Sequence, residues 1–336
     1  MSLLHGQSLL FRALDEAVPG PLWRGVFDAY WPAYRRWYLQ DGERARPSYL
    51  ACVRALRAHM PELMPTYEAL VALAGGGDLE ARFLSLYGPP PYVAACSQAV
   101  WQGDCPVLVR NYDYPAQLCE GLILKTAWSG RPVMGASDCL WGLLDGINDA
   151  GLAVSLAFGG RREVGDGFGV PLLLRYVLET CERTAEAARA LARIPVHMSY
   201  NVTVVDRSGD YATVYLAPGR PGDIRRDAAA TNHQQRIDWL QYASASATVE
   251  RQRRLLLMLQ DQEITAELLV QSFLRPPIYS TAFSRGFGTL YSVAYWPTLG
   301  RADYLWPGTG WCQSLREFEP GERLIPLVEA PPFPAQ

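Results

Sequence analysis

Seven cysteines carry most of the covalent reactivity in this chain: Cys52, Cys96, Cys105, Cys119, Cys139, Cys181 and Cys312. Their odd number and irregular spacing do not form a disulfide framework. There is no C-x-x-C pair and no Cys/His cluster at zinc spacing, so no metal site is expected. Most should be small buried hydrophobes, the usual fate of free cysteine. Cys96 differs from the others in its setting. It lies in a run of small and β-compatible residues, Val93 to Val100, directly after the break Gly88-Pro89-Pro90-Pro91. The next strand carries Arg110-Asn111-Tyr112-Asp113. A thiol near an arginine and a carboxylate is a candidate nucleophile, but it needs a base. A free thiol has a pKa of about 8.5, so only a few per cent is thiolate at neutral pH. The chain has four histidines, His5, His59, His197 and His233, and none stands beside a convincing cysteine partner in sequence. A Cys-His protease would have to use His233.

Positioning these groups requires strands. Val93–Val100 and Pro106–Tyr114 read as a hairpin turning at Gly103-Asp104. Gly121–Thr126, Trp141–Gly146 and Gly151–Phe158 read as further strands, with Asn148 to Gly151 as a turn. Asn148 and Gly151 look chemical, but hairpin punctuation explains them. Tyr200–Val205 and Tyr211–Leu216 form another hairpin, and Thr289–Trp296 with Gly300–Trp306 a last one. Arg110 and Asp113 lie three apart, which puts them on opposite faces of a regular strand. For both to reach Cys96, the strand must end or bulge between them. Helices are expected over 170–193, around Val249–Leu259 and over Thr265–Phe273. The first stretch, to about residue 86, reads as helical, with Leu9, Leu10, Leu14 and Val18 at helical intervals. Its aromatic run from Trp23 to Tyr38 needs a surface to pack on. It could also line an acyl pocket. The tail beyond Pro320 reads as extended. Antiparallel strands with grouped helices give an α+β class with layered architecture.

Segments along nearly the whole chain resemble one family. They are His5-Gly6, the run Pro61 to Gly75, Cys96-Ser97, Arg110-Asn111-x-Asp113, and Gly146-Ile147-Asn148-Asp149-Ala150-Gly151-Leu152. Arg175-x-x-Leu178-Glu179-Thr180-Cys181 with Glu186-Ala187, Thr231-Asn232-His233, Ser284-Arg285-Gly286 and Thr289-Leu290 continue the series in order. Together they resemble the autoproteolytic isopenicillin-N acyltransferase (acyl-CoA:6-aminopenicillanate acyltransferase) family. That family belongs to the N-terminal-nucleophile hydrolases and is related to choloylglycine hydrolases and penicillin V acylases.

The resemblance implies a four-layer αββα sandwich with a helical lead segment. It implies self-cleavage between Ala95 and Cys96, giving a lead fragment, 1–95, and a catalytic fragment, 96–336, that stay associated. The freed α-amine of Cys96 would then serve as the base, since such an amine titrates near 7.7–8.0. By the same resemblance, Asp113 accepts from that amine and Arg110 holds the thiol side. Asn232 is the side-chain oxyanion donor, with a backbone N–H near Ala157 or Phe158 as the second. Arg285 serves processing or binds a substrate carboxylate. Two positions depart from the family's usual residues: Ala95 stands where Gly is common, and Ser97 where Thr is. Ala95 motivates a competing reading, a processing-dead relative that only binds a ligand or partner. A bile-salt or penicillin V-type amidase is the other alternative.

Bulk composition fits an enzyme of this kind. Of 336 residues, 49% are hydrophobic and 19% charged, with a net charge of −3 and no basic stripe, so nucleic acid is not the expected partner. Nothing matches a nucleotide-binding loop. The partner expected is a small acylated amine or acyl donor, an acyl-CoA among the candidates, with no cofactor or metal and with a homo-oligomer open. No secretory signal or membrane span is read, which makes the cytoplasm the expected location.

Overall fold

The computed structural model describes residues 8–327. Strands assemble into two sheets. In spatial order, the larger runs Arg220–Arg225, Tyr211–Ala217, Tyr200–Val205, Ala153–Phe158, Gly142–Asn148, Val133–Asp138, Leu122–Thr126, Ser8–Glu16 and Gly321–Pro326. The smaller runs Ala229–Ala230, Ala95–Trp101, Val107–Tyr114, Phe287–Trp296, Arg301–Trp306 and Thr309–Ser314, with Thr281–Ala282 paired to Phe287–Trp296. Neighbours are antiparallel except Ser8–Glu16 and Leu122–Thr126, which are parallel. The sheets face each other where Ala95–Trp101 and Val107–Tyr114 cross Ala153–Phe158. Helices Val170–Thr180 and Thr184–Arg193 cover the outer face of the larger sheet. Thr248–Leu259 and Ala266–Ser272 cover the smaller one. This is the αββα sandwich.

The central strands are buried on both faces, and every residue from Ala95 to Val100 is buried. Cys96, Val100, Leu108 and Tyr112 face the core between the sheets. Ala99, Val107 and Val109 face a second core with Leu255, Leu269, Val270 and Phe273. A strand buried twice loses the polar alternation of a half-exposed one.

The lead segment differs from expectation at its start. Residues 8–16 are a strand, not a helix. Phe11 and Ala13 point inward at every second position, and the backbone is hydrogen-bonded on both sides, to Leu122–Thr126 and Gly321–Pro326. The leucines that match a helical interval include Leu10, which is exposed. Strand register, not helical spacing, sets which residues are buried. The lead is thus woven into the larger sheet. Helices Pro21–Tyr38, Tyr49–His59, Met64–Leu73 and Asp78–Leu84 follow and close one end of the sandwich. Trp23 Nε1 donates to Leu140 O at 3.0 Å and Trp141 Nε1 to Leu84 O at 2.9 Å. Of the tail, the described part Gly321–Pro326 is extended and is a paired strand. His5-Gly6 lies outside the described residues. Among the described residues, no helix is long and apolar enough to cross a membrane.

Candidate active site

Cys96 is the second residue of its strand and is fully buried. In the register with the next strand, Cys96 sits opposite Tyr112, Gln98 opposite Arg110, and Ala95 opposite Asp113. Cys96 and Arg110 therefore share the face toward the larger sheet. Arg110 Nη2 lies 3.3 Å from Cys96 Sγ. Arg110 Nε donates to Leu156 O at 2.9 Å and Nη1 to Tyr291 Oη at 3.0 Å. Its ion pair is with Asp145, which has no exposed surface. Asp145 also accepts from Tyr291 Oη at 2.7 Å and Tyr295 Oη at 2.6 Å. Burial opposes charge on Arg110, but Cys96, Tyr291 and Asp145 outweigh it. Burial pushes the Cys96 thiol up, and Arg110 pulls against it.

Asp113 faces the other way, as a spacing of three on a regular strand requires. The strand neither ends nor bulges between Arg110 and Asp113. The register shift falls in the partner strand, between Thr289 and Tyr291. Both side chains still reach the surroundings of Cys96, one from each face. Asp113 accepts from Thr289 Oγ1 at 2.7 Å and pairs with Arg251 Nη1 at 3.5 Å. Burial raises its carboxyl to about 6, against Arg251, Thr289 and Arg110.

Arg251, in helix Thr248–Leu259, is a residue that sequence reading does not reach. Its Nη1 donates to Cys96 O at 2.7 Å and Ser97 Oγ at 2.6 Å, and its Nη2 to Asn232 Oδ1 at 2.7 Å. Asn232 Oδ1 also accepts from the Cys96 backbone N–H at 2.8 Å. Because guanidinium only donates, the oxygen of Asn232 must face Arg251 and Cys96. Its Nδ2 then donates to Phe158 O at 3.2 Å and contacts Ala94 O at 3.5 Å. Tyr242 Oη donates to Ala94 O at 2.6 Å. The bond from Ala95 to Cys96 is thus held from both sides. Gly160, with φ +73, lets the Asn232 backbone approach, since a Cβ there would meet Asn232 O at 2.3 Å.

Of the expected site residues, Cys96, Ala95, Arg110, Asp113, Asn232 and Phe158 come together. Phe158 contributes its carbonyl as an acceptor. Arg285 is exposed on a short 3₁₀ turn, Phe283–Arg285, and its described contacts include none to Cys96 or Asn232. His233 turns its Nδ1 to Thr248 Oγ1 at 2.9 Å, and burial together with Arg251 lowers its pKa. Among the described residues, no cysteine sulfur is hydrogen-bonded to a histidine ring, so a Cys-His pair has no geometric support there. Asn148 ties its hairpin to Leu178 O and Cys181 O, both at 2.8 Å. Among the described residues, no group of three His, Cys, Asp or Glu could hold a metal. The lead aromatics divide. Trp23 and Phe27 are core, while Tyr30, Tyr34 and Trp37 line a cavity of about 350 Å³.

The family model of acyl-coenzyme A:6-aminopenicillanic acid acyl-transferase matches residues 100–311, so Cys96 lies just ahead of the match. Three solved structures are similar at low identity. A mutant of the conjugated bile acid hydrolase from Clostridium perfringens is 12% identical, with a TM-score of 0.47, covering 68% of this chain and 96% of its own. Penicillin V acylase from Agrobacterium tumefaciens is 15% identical, with a TM-score of 0.44, covering 66% and 87%. The Caenorhabditis elegans ortholog of N-acylethanolamine-hydrolyzing acid amidase is 16% identical, with a TM-score of 0.46, covering 61% and 94%. A search of curated proteins finds no match.

Proposed function

Because the chain belongs to the acyl-coenzyme A:6-aminopenicillanic acid acyl-transferase family, we propose that it is a self-processing amidase or acyltransferase with Cys96 as its nucleophile. The observation that carries this reading is the two-sided hold on Cys96, with Arg110 at its sulfur and Asn232 and Arg251 at its backbone.

In the uncut chain, Cys96 Sγ attacks the Ala95 carbonyl carbon. The C–N bond breaks, a thioester forms, and the Cys96 nitrogen leaves as an amine. Water hydrolyses the thioester to an Ala95 carboxylate and a free thiol. The new α-amine keeps Asn232 Oδ1 as an acceptor. The departure of the Ala94–Ala95 end frees Asn232 Nδ2 from Ala94 O, so it can donate to a substrate oxyanion. In turnover, the amine takes the thiol proton and passes it to the leaving amine of a substrate amide. The acyl group rests on Cys96 Sγ until water or a second amine removes it. Arg110 favours the thiolate, and Asp113 and Arg251 fix the strand's other face. The lead fragment remains bound through its strand in the larger sheet.

Intact mass spectrometry of the purified protein beside Cys96→Ala tests the reading. We expect two fragments, the larger beginning at Cys96, and an uncut variant. Uncut chain in both samples, with no acyl-probe labelling of Cys96, overturns it in favour of a binding protein.

A further inference from the structure

The cavity beside the lead helix contains charge that the acyl-transfer chemistry does not use. Tyr30, Tyr34 and Trp37 line it together with Glu120 and Asp138. Glu120 is 4% exposed. Its Oε1 accepts from Leu140 N at 2.8 Å and from Tyr34 Oη. Its Oε2 is buried without a hydrogen-bond partner among the described residues. Ser137 Oγ is near enough to favour the anion, but it completes no bond of normal geometry. Tyr34 Oη also lies 3.2 Å from Asp138 Oδ1, and its single hydrogen can donate fully to only one of the two carboxyls. Among the described residues, no lysine, arginine or histidine lines the cavity. Arg12 approaches only as far as Tyr30 Oη, 2.7 Å away.

A buried and a half-buried carboxyl with no ion-pair partner among the described residues, and with Arg110 acting on Asp138 only from a distance, are costly as anions. Burial, and then Glu120, push Asp138 up to about 7, and burial raises Glu120 as well. Near neutral pH the pair by itself therefore retains a proton that an entering cation would displace. The aromatic faces around the pair suit an organic cation better than a bare ion. The cavity is linked to Cys96 through the residues between them. Its wall includes Val93, on the segment leading into Cys96, and Tyr114. Tyr114 stacks at 5.3 Å on Tyr112, the register partner of Cys96.

We propose that this cavity binds a protonated amine on the substrate, held between Glu120, Asp138 and the tyrosine and tryptophan faces. The protein would then act on amides whose acyl or amine part ends in an ammonium group. This rests on the amidase reading for turnover, but binding can be measured without it. Hexylammonium and 1-hexanol, titrated calorimetrically into the wild-type and Cys96→Ala proteins, are the first probes. We expect the ammonium to bind roughly tenfold or more tighter, the scale of a desolvated cation on aromatic and carboxylate groups. Glu120→Gln keeps the acceptor for Leu140 and should reduce that ratio toward one, as should Asp138→Asn. Turnover of 6-aminohexanoyl pentylamide and of N-hexanoyl-1,5-diaminopentane, against hexanoyl pentylamide, should favour one cationic amide by a similar factor. Equal binding of ammonium and alcohol in the unaltered protein overturns the site. Selective ammonium binding with no turnover leaves the site standing and sinks the amidase reading. Turnover with no preference and no selective binding does the reverse.

Discussion

Two arginines in this protein are wholly buried and paired to wholly buried carboxylates, yet only one touches Cys96. Arg110 bonds Asp145 between the sheets, and Arg175 bonds Glu179 at 2.7 Å within its helix. Both hold backbone carbonyls, of Leu156 and Trp141. Both lie against an aromatic ring, with Arg110 4.8 Å from Tyr112 and Arg175 4.8 Å from Trp128. They differ in the remaining nitrogen. Nη2 of Arg110 faces Cys96 Sγ, whereas Nη2 of Arg175 has no partner among the described residues. Burial and pairing alone do not mark a site. The spare donor and what it faces do.

Substitutions can break or sharpen this contrast. The largest effect should come from Arg110→Met, which leaves Asp145 buried without its cation. We expect a loss of about 3–5 kcal/mol, read by urea unfolding in the Cys96→Ala background, and no self-cleavage in the Cys96 protein. Adding Asp145→Leu should restore most of the stability but not the cutting. If the double variant cuts normally, Arg110 is as structural as Arg175. Arg175→Met should cost stability on the same scale, and Glu179→Leu should restore it. Cleavage should persist wherever the protein folds, with intact mass as the readout.

Asn232→Ala should slow turnover roughly 10²–10³-fold, the usual loss of one oxyanion donor. Single-turnover acylation would measure it, and an unchanged rate would make Asn232 a strand clamp only. The smallest effect concerns Asp113. Its carboxyl titrates at about 6 when folded, above its usual 3.8. The folded protein therefore holds this proton more tightly than the unfolded chain. The stabilisation is full below 3.8 and is lost as pH rises through 6. Asp113→Asn should remove a pH-dependent difference on the order of 2 kcal/mol. Urea midpoints at pH 4 and pH 7 would show it. Identical slopes in both proteins would mean that Asp113 titrates normally.

Much of the site is legible in the sequence because its members cluster in short motifs. Arg110 and Asp113 share one strand with Cys96's register partner, and Asn232 sits between Thr231 and His233. The family resemblance these motifs suggest is borne out by the family model. Arg251 and Asp145 are not legible in this way. Arg251 shares its helix with Arg253 and Arg254, which read as a solvated face. The available signal is that Leu255, four residues on, is buried, so Arg251 lies on the inward stripe. Asp145 stands in a run of small and apolar residues, and its partners Arg110, Tyr291 and Tyr295 are distant in sequence. Among the strands, Ser8–Glu16 is open to misreading because its leucines fit a helical interval, and only its neighbours fix it as a strand.

That first strand has a consequence for biogenesis. It lies in the sheet between Leu122–Thr126 and Gly321–Pro326, so it pairs with a strand very far along the chain. Ser8–Glu16 cannot complete this pairing until the ribosome has released the chain beyond residue 326. Until then, Ser8–Glu16 presents an open edge to whatever other chains surround it. Such long-range closure belongs to slow-folding topologies. Premature termination before residue 321 would leave that edge permanently bare and liable to aggregate.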